Sequence, residues 1–340
     1  MLENRCLYLI AEHKLELRRE NIAAPGIGEV LIKIVANGIC GSDLHFYKEG
    51  RLGNFVVNSP YIPGHEASGI IEGLGEGVKA HKIGDRVVIE PGIPCGKCYY
   101  CKTGRYNLCP DVKFLSEPGI NGTFCDYIVV PEHFVYHIPK GLEMEAAALA
   151  EPTAVAVQAV TRGRVCPGDI GIIAGAGPIG LLTLQAFKAA GGGYAVCVDK
   201  VPERLEKAKE LGADEIFIPS PQNPVLWNKG DIVFETAGND ACTSMLFDMV
   251  RPGGRCVQIG WPGSNIVPMN ITKLMEKELD YVGVNRYANA FQTALTWLKD
   301  RRIKADKMIT HRFKLEEAMK GFDWALCHPK ETIKVIIYND

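Results

Sequence analysis

The hydrophobic pattern changes once along the chain, and the change separates a β-rich part from a part that alternates strands with helices. Residues 30–36 alternate apolar and polar side chains, as a half-buried strand does, and segments punctuated by Gly and Pro continue to about residue 139. Residues 144–160 are rich in Ala with helical spacing, and units of strand then helix follow, which is typical of a parallel, doubly wound sheet. The elements predicted for this second part are strands at 171–174, 195–198, 215–218, 232–235 and 255–259 and helices at 181–190 and 202–211.

The end of the chain departs from this alternation. From about residue 286 it contains an amphipathic helix at Phe291–Lys299 and a last strand at 332–338, which can pair back onto the first part. We therefore predict an α/β protein with a β-rich domain from residues 1–152 and 286–340 and a nucleotide-binding domain from residues 153–285. No Ser- or Pro-rich linker separates the two, so we expect a packed hinge near Glu151.

Composition narrows the classes of function. The 340 residues are 47% hydrophobic and 23% charged, which is ordinary for a soluble globular protein. A net charge of -2 leaves no excess of basic side chains for nucleic acid. The longest uncharged stretch, 170–187, is interrupted by glycines and a proline, so we expect no membrane span, and the charged N-terminal residues predict no signal peptide and a cytoplasmic location. In a reducing compartment, clustered cysteines indicate a metal site rather than disulfides.

A glycine-rich loop follows the first predicted strand of the second domain. Gly175, Gly177 and Gly180 form a GxGxxG whose Pro178 and Ile179 open a helix. The first glycine permits the tight turn, the second lets the backbone approach a pyrophosphate, and the third allows the helix to pack closely on the sheet. The alternative is a tight turn that binds no cofactor, but strand, loop and helix together favour a dinucleotide site.

An acidic residue stands where a ribose-binding carboxylate belongs. Asp199 ends the next predicted strand, roughly 20 residues after the loop, and its charge would accept the ribose hydroxyls and repel a 2′-phosphate. This position favours NAD over NADP. Lys200 and Arg204 argue the other way, since either cation could meet a phosphate if the carboxylate turned away.

Four cysteines are clustered in one loop. Cys95, Cys98, Cys101 and Cys109 have the spacing CxxCxxCx7C, which matches a closed tetrahedral zinc site that leaves no place for substrate. A [4Fe–4S] cluster is the main rival, because three cysteines at two-residue gaps also occur in ferredoxins and Cys109 precedes a proline. Four unrelated buried cysteines are the third alternative, although a polar loop offers thiols no packing reason to recur. A metal at this loop would be structural.

A second set of potential ligands is dispersed along the chain. Cys40, His65, Glu66 and Glu151 offer one thiolate, one imidazole and two carboxylates, which suits a catalytic zinc with three protein ligands and an open fourth place. Each residue alone is more typical of a core or a loop, and composition cannot show that they converge.

Together these motifs resemble the zinc-dependent medium-chain dehydrogenases, and within that family the sorbitol, or polyol, dehydrogenases. The resemblance covers essentially the whole chain and is carried by residues 38–45, 63–66, 84–88, 151–152 and 175–180, by the four-cysteine loop and by Asp199. It implies a GroES-like first domain, a Rossmann second domain, NAD, and two zinc ions, one catalytic and one structural at the four cysteines.

The resemblance also implies roles for single residues. The catalytic zinc would be held by Cys40, His65 and either Glu66 or a water held by Glu151. The other implied roles are Ser42 taking the alcohol proton, His45 receiving it through the cofactor ribose, Asp43 orienting the His65 ring, and Arg286 and Tyr287 contacting a hydroxyl-rich substrate.

The reaction implied is transfer of a hydride from a secondary hydroxyl of a polyol, such as sorbitol, xylitol, L-iditol or galactitol, to NAD, which gives a ketose. Within the same family, the alternative substrates are a secondary alcohol or diol, L-threonine and a sugar phosphate. A non-catalytic NAD-binding protein is the alternative from another class, and the retained ligand residues argue against it. Family analogy alone predicts a homotetramer, and we expect neither nucleic-acid nor membrane partners.

Overall fold

The computed structural model describes residues 2–219 and 228–339. The chain divides into two compact units. The first comprises Met1–Glu151, Ala294–Lys299 and Ala305–Asp340, and the second comprises Pro152–Thr293 and Asp300–Lys304. Each unit has its own sheet and its own hydrophobic core.

Every predicted strand and helix overlaps an element of the structure. Among the described residues, the strands in chain order are β1 (Leu2–Ala11), β2 (Lys14–Ile22), β3 (Glu29–Gly38), β4 (Arg51–Leu52), β5 (Phe55–Val56), β6 (Glu66–Leu74), β7 (Arg86–Ile89), β8 (Gly92–Ile93), β9 (Lys113–Phe114), β10 (Tyr127–Pro131), β11 (Val135–His137), β12 (Ile170–Ala174), β13 (Tyr194–Val198), β14 (Glu215–Phe217), β15 (Gly230–Glu235), β16 (Val250–Gln258), β17 (Asp280–Gly283), β18 (Ile309–Lys314) and β19 (Lys334–Tyr338). The helices are α1 (Gly41–Glu49), α2 (Tyr99–Lys102), α3 (Met144–Ala148), α4 (Ala150–Arg162), α5 (Pro178–Ala189), α6 (Pro202–Glu210), α7 (Asp240–Met249), α8 (Ile271–Glu276), α9 (Phe291–Lys299) and α10 (Ala318–Cys327).

The main sheet of the first unit has the order β11-β7-β6-β3-β19-β18, and β10 also pairs with β3. β3 alternates as predicted, because Val30, Ile32 and Ile34 are fully buried while the residues between them are half-buried. β19 runs antiparallel to β3, which confirms that the end of the chain pairs back onto the first part.

The second unit is a doubly wound parallel sheet, as predicted. Its described strands have the order β14-β13-β12-β15-β16-β17, and every neighbouring pair is parallel. The strand order reverses beside β12, so the loop after β12 lies at the switch point where such sheets bind ligands. Leu205, Ala208 and Leu211 are buried, which confirms the predicted apolar face of α6.

Two details differ from the sequence-based expectation. The helix expected over 144–160 is two helices, α3 and α4, interrupted at Leu149, whose side chain is fully buried. Pro152, residues 286–293 and Asp300–Lys304, which the sequence analysis places in the first domain, lie in the second unit. Residues 286–293 follow shortly after β17, and Tyr287 and Phe291 pack together there with ring centroids 5.4 Å apart.

Candidate active site

Cys40, His65 and Glu66 meet at one end of the β3–β6 strand pair. One ligand atom from each side chain lies within 4.8 Å of the other two. Glu66 opens β6 and is paired in register with Gly38 at the end of β3, so the antiparallel pairing carries both segments to one place. Two residues after Gly38, Cys40 caps the N-terminus of α1, and its amide donates to Asp43 Oδ2 at 3.0 Å.

The His65 ring is buried in a strongly negative environment. Burial alone would lower the pKa of His65, but the negative charges of Cys40 and Asp43 outweigh it and raise that pKa well above its usual value. Asp43 Oδ1 lies 3.9 Å from His65 Nδ1, and it accepts hydrogen bonds from Gly64 N and Ser116 Oγ. His65 Nδ1 has no hydrogen-bond partner within the described part of the chain. A buried imidazole next to a thiol, with a carboxylate 3.9 Å from its Nδ1, fits a zinc ligand whose ring is oriented by an acidic side chain.

Lys334 is a member of this cluster that the sequence analysis missed. Its Nζ donates to Glu66 Oε1 at 2.8 Å, to Glu66 Oε2 at 2.7 Å and to the Ile39 carbonyl at 3.1 Å, and both charged side chains are buried. Burial lowers the pKa of Lys334, but the negative charges of Glu66 and Cys40 raise it by more. The pKa of Lys334 is therefore above its usual value. One sequence signal could have found it, because Lys334 opens an otherwise apolar strand, Lys-Val-Ile-Ile-Tyr.

The remaining candidate residues of the first unit lie on two helices. Glu151 is buried in the first turn of α4, and its charge helps to raise the pKa of His65, although it is not one of the three residues that cluster most closely. Ser42 and His45 lie on α1 one turn apart, so their side chains project from the same face. Ser42 is half-buried, and His45 is exposed with its Nδ1 3.8 Å from Glu49 Oε2.

The four cysteines of the predicted structural site also converge. One sulfur atom from each of Cys95, Cys98, Cys101 and Cys109 lies within 4.8 Å of the others. Cys98 Sγ and Cys101 Sγ are 3.4 Å apart, and the Cys95 amide points to Cys109 Sγ at 3.4 Å. Hydrogen bonds from the backbone amides of Lys97 and Cys98 lower the pKa of Cys95 to about 7, which favours the thiolate that a metal requires.

Glu90 joins the four-cysteine loop to the main sheet of the first unit. It follows β7 and is buried, and it accepts hydrogen bonds from Tyr106 Oη at 2.9 Å and from Tyr136 Oη at 2.7 Å. Tyr106 lies within the four-cysteine loop, whereas Tyr136 lies on β11. Burial raises the pKa of Glu90, and this effect is larger than that of the two hydrogen bonds, which lower it. The pKa of Glu90 is therefore above its usual value.

The glycine loop of the second unit has the geometry that a dinucleotide needs. Gly175 has φ 109°, and a Cβ at Gly180 would lie 1.9 Å from the Gly175 carbonyl oxygen, so both positions require glycine. A Cβ at Gly177 would meet nothing within 4 Å, which leaves open space where a pyrophosphate could approach the start of α5. Asp199 accepts hydrogen bonds from Ala176 N at 2.7 Å and from Val201 N at 2.9 Å.

The other candidate residues of the second unit flank β13 and β17. Lys200 is exposed directly after Asp199, and Arg204 is half-buried on α6. Arg286 is half-buried with φ 54°, and Tyr287 beside it is buried. The predicted zinc ligands all belong to the first unit, whereas Arg286 and Tyr287 belong to the second.

Comparison with known proteins agrees with this architecture. Residues 26–140 match the alcohol dehydrogenase GroES-like domain, and residues 178–300 match the zinc-binding dehydrogenase domain. Sorbitol dehydrogenase of Bacillus subtilis (strain 168) is 41% identical over 332 residues, which are 95% of this chain and 94% of that protein. The chain belongs to the zinc-binding medium-chain dehydrogenases.

Two further proteins resemble this chain over nearly its whole length. D-xylulose reductase of Saccharomyces cerevisiae is 36% identical over 97% of this chain and 96% of its own length. The crystal structure of an Escherichia coli oxidoreductase of unknown specificity superposes with a TM-score of 0.94, at 33% identity and with full coverage of both chains. The present chain is therefore an oxidoreductase, as predicted. Among its described helices, none has the length and apolar character to cross a membrane.

Proposed function

We propose that this chain is a zinc- and NAD-dependent polyol dehydrogenase that oxidises a secondary hydroxyl next to a terminal carbon and yields a ketose. The observation that carries the proposal is the convergence of the Cys40 thiol with the buried His65 imidazole, one ligand atom of each lying within 4.8 Å of the other. The sequence identity of 41% to a sorbitol dehydrogenase supports a polyol as the substrate class.

Cys40 and His65 would hold the catalytic zinc, and Glu151 would hold a water molecule beside it. Both oxygens of Glu66 already accept hydrogen bonds from Lys334, which favours a water held by Glu151 over Glu66 itself as the further ligand. Zinc bound here supplies the Lewis acidity that lets a hydroxyl group lose its proton near neutral pH.

The proton leaves through groups on α1. Ser42 accepts the proton of the substrate hydroxyl, and His45, one helical turn further on, delivers it to solvent because its side chain is exposed. A hydroxyl is too poor a base to keep a second proton, so the half-buried Ser42 serves as a relay that donates its own proton as it accepts that of the substrate.

The second unit binds the hydride acceptor. The pyrophosphate of NAD would bind in the open space beside Gly177. The Asp199 carboxylate would accept hydrogen bonds from the ribose hydroxyls. The Asp199 carboxylate disfavours the 2′-phosphate of NADP by charge repulsion.

Arg286 and Tyr287 select the substrate by its additional hydroxyl groups. A polyol offers several hydroxyl groups to a guanidinium and a phenol, whereas a simple alcohol offers one, and sites that hydrogen-bond a substrate hydroxyl can discriminate by about 10⁴ against an analogue that lacks it. We therefore expect sorbitol, xylitol, L-iditol or galactitol to be oxidised efficiently and ethanol poorly.

The test is NADH production over a panel of polyols, 2-propanol, 2,3-butanediol, L-threonine and sugar phosphates. Arg286→Ala should lower kcat/KM for the best polyol and narrow its advantage over 2-propanol. Arg302→Ala, which alters an exposed arginine of the same unit, is the matched control. It should leave the ratio of kcat/KM for the polyol to kcat/KM for 2-propanol unchanged. The polyol assignment fails if 2-propanol or 2,3-butanediol surpasses every polyol, or if Arg286→Ala leaves polyol turnover intact. Light scattering tests the accompanying proposal of a homotetramer.

A further inference from the structure

A third group of metal-binding side chains lies outside both cysteine-containing sites. His81, Asp85 and His137 each place one potential ligand atom within 4.8 Å of the other two. His81 and Asp85 belong to the connection between β6 and β7, and His137 ends β11, which pairs with β7. The three residues therefore come from two segments that the sheet brings together.

Hydrogen bonds determine which nitrogen of each ring is available. His81 Nε2 lies 3.3 Å from the Glu132 carbonyl oxygen, and His137 Nε2 lies 3.1 Å from the Ala80 carbonyl oxygen. A carbonyl oxygen can only accept, so each Nε2 carries the hydrogen and each Nδ1 presents a lone pair. Histidines that bind metals usually have this arrangement, in which the other ring nitrogen donates to a backbone carbonyl.

His81 Nδ1 is the atom that most requires a partner. The His81 residue is only 9% exposed, and within residues 2–219 and 228–339 its Nδ1 has no hydrogen-bond partner. A buried acceptor without a partner is unfavourable unless a water molecule or an ion meets it. The His137 ring lies next to it, with ring centroids 4.7 Å apart.

The carboxylate of the group is held in place by the backbone. Asp85 Oδ2 accepts a hydrogen bond from Lys82 N at 2.8 Å and lies 3.7 Å from His137 Nδ1. In a tetrahedral zinc site with bonds near 2.1 Å, neighbouring ligand atoms are about 3.4 Å apart, so the Asp85–His137 pair needs only a small contraction. Glu132 steadies the same connection, because its Oε2 accepts from Lys79 N and Ala80 N.

From this arrangement we infer that His81, Asp85 and His137 form a further metal site, which takes a divalent transition ion such as Zn²⁺. Two imidazoles and one carboxylate suit zinc rather than Mg²⁺ or Ca²⁺, which prefer oxygen ligands throughout. The His137 side chain is 54% exposed, so water completes the coordination from the solvent side. The ion stabilises the fold by joining the β6–β7 connection to β11, and it takes no part in hydride transfer.

The experiment titrates the purified holoprotein with ZnCl₂ by calorimetry and follows its thermal unfolding. His137→Phe keeps a ring against His81 and removes the ligand nitrogen. His133→Phe is the matched control, because His133 is also exposed, lies four residues earlier and is outside every candidate metal group among the described residues. We expect the wild type and His133→Phe to bind one more zinc ion per chain than His137→Phe, and zinc to raise the unfolding midpoint only in the first two.

Two outcomes would overturn the site. In one, His137→Phe binds zinc with the stoichiometry and affinity of the wild type. In the other, His133→Phe loses the additional zinc as well, which indicates adventitious binding by surface histidines. Asp85→Asn provides a second variant that keeps the side-chain volume, and it should weaken zinc binding at least tenfold. Dehydrogenase turnover should be the same in His137→Phe and the wild type, so this test is independent of the proposed catalytic function.

Discussion

Lys334 and Glu66 form a fully buried ion pair in which one ammonium group donates to both carboxylate oxygens, at 2.8 and 2.7 Å. The side chains are 3% and 1% exposed, so neither charge can turn to water if the other is removed. The pair also joins the last strand of the chain to the strand that follows His65.

Lys334→Met should therefore destabilise the protein strongly. The substitution leaves the Glu66 carboxylate buried without its cation, and breaking such a pair typically lowers the free energy of unfolding by about 3–5 kcal/mol. The double variant Lys334→Met/Glu66→Gln removes both charges and should recover part of that loss. Urea unfolding measures all three proteins. A single variant as stable as the wild type, or a double variant no better than the single one, would contradict this account.

Cys98→Ser should remove the structural zinc while sparing the catalytic one. Metal analysis should find about one zinc ion fewer per chain, and the unfolding midpoint should fall because the loop loses its metal cross-link. The folded fraction should keep its specific activity. Cys166→Ser is the control, because Cys166 is an exposed cysteine outside the metal-ligand groups found among the described residues. Iron and sulfide in the wild-type protein, or unchanged zinc in Cys98→Ser, would disprove the assignment.

Asp199→Asn should weaken the preference for NAD over NADP. We expect the wild type to favour NAD at least about tenfold, which corresponds to about 1.4 kcal/mol. Ala176 N and Val201 N donate to different oxygens of Asp199, so asparagine, with one carbonyl oxygen, keeps one of these two hydrogen bonds while the repulsive charge is lost. Glu203→Gln, an exposed carboxylate nearby on α6, is the control. The measurement is the ratio of kcat/KM with NAD to kcat/KM with NADP in each protein. Equal use of both cofactors by the wild type would refute the prediction.

Glu90 should make stability decrease as the pH rises. Burial raises the folded-state pKa of Glu90 above its ordinary value of 4.5, so folding favours the protonated form. The favourable contribution is complete below pH 4.5 and is lost as the pH rises through the folded-state pKa. Glu90→Gln, which remains neutral, should flatten this dependence, whereas Glu76→Gln at an exposed site should not. Unfolding free energies measured from about pH 4 to 8 test this prediction, and parallel curves for Glu90→Gln and the wild type would contradict it.

The sequence predicted those parts of the site whose residues lie close together in the chain. The four cysteines fall within residues 95–109, and the glycine loop lies between a strand and a helix that the hydrophobic pattern identifies. The meeting of Cys40 with His65 could only be suggested, since it depends on the register that pairs Gly38 with Glu66. Registers between distant strands depend on packing across the whole sheet, which a local pattern does not contain.

Lys334 and His81 were beyond the sequence analysis for the same physical reason. Lys334 is 268 residues from its partner Glu66, and a lone lysine at the start of an apolar strand is ordinarily a solvated end. His81 is unremarkable in sequence, and its importance arises from a buried ring nitrogen and from the neighbouring β11. Leu149 likewise interrupts a stretch whose Ala content favours one continuous helix, so tertiary packing overrides propensity there.

The position of β19 between β3 and β18 determines the order in which a growing chain can be completed. On the ribosome, residues 152–293 of the nucleotide-binding unit are all synthesised before β19, so that unit can fold while translation continues. Until residue 338 is made, the segment of β3 that leads into Cys40 lacks its neighbouring strand, and Glu66 lacks its cation. The second unit of the nascent protein can therefore form first, whereas the cluster of Cys40, His65 and Glu66 is completed only after β19 has been translated.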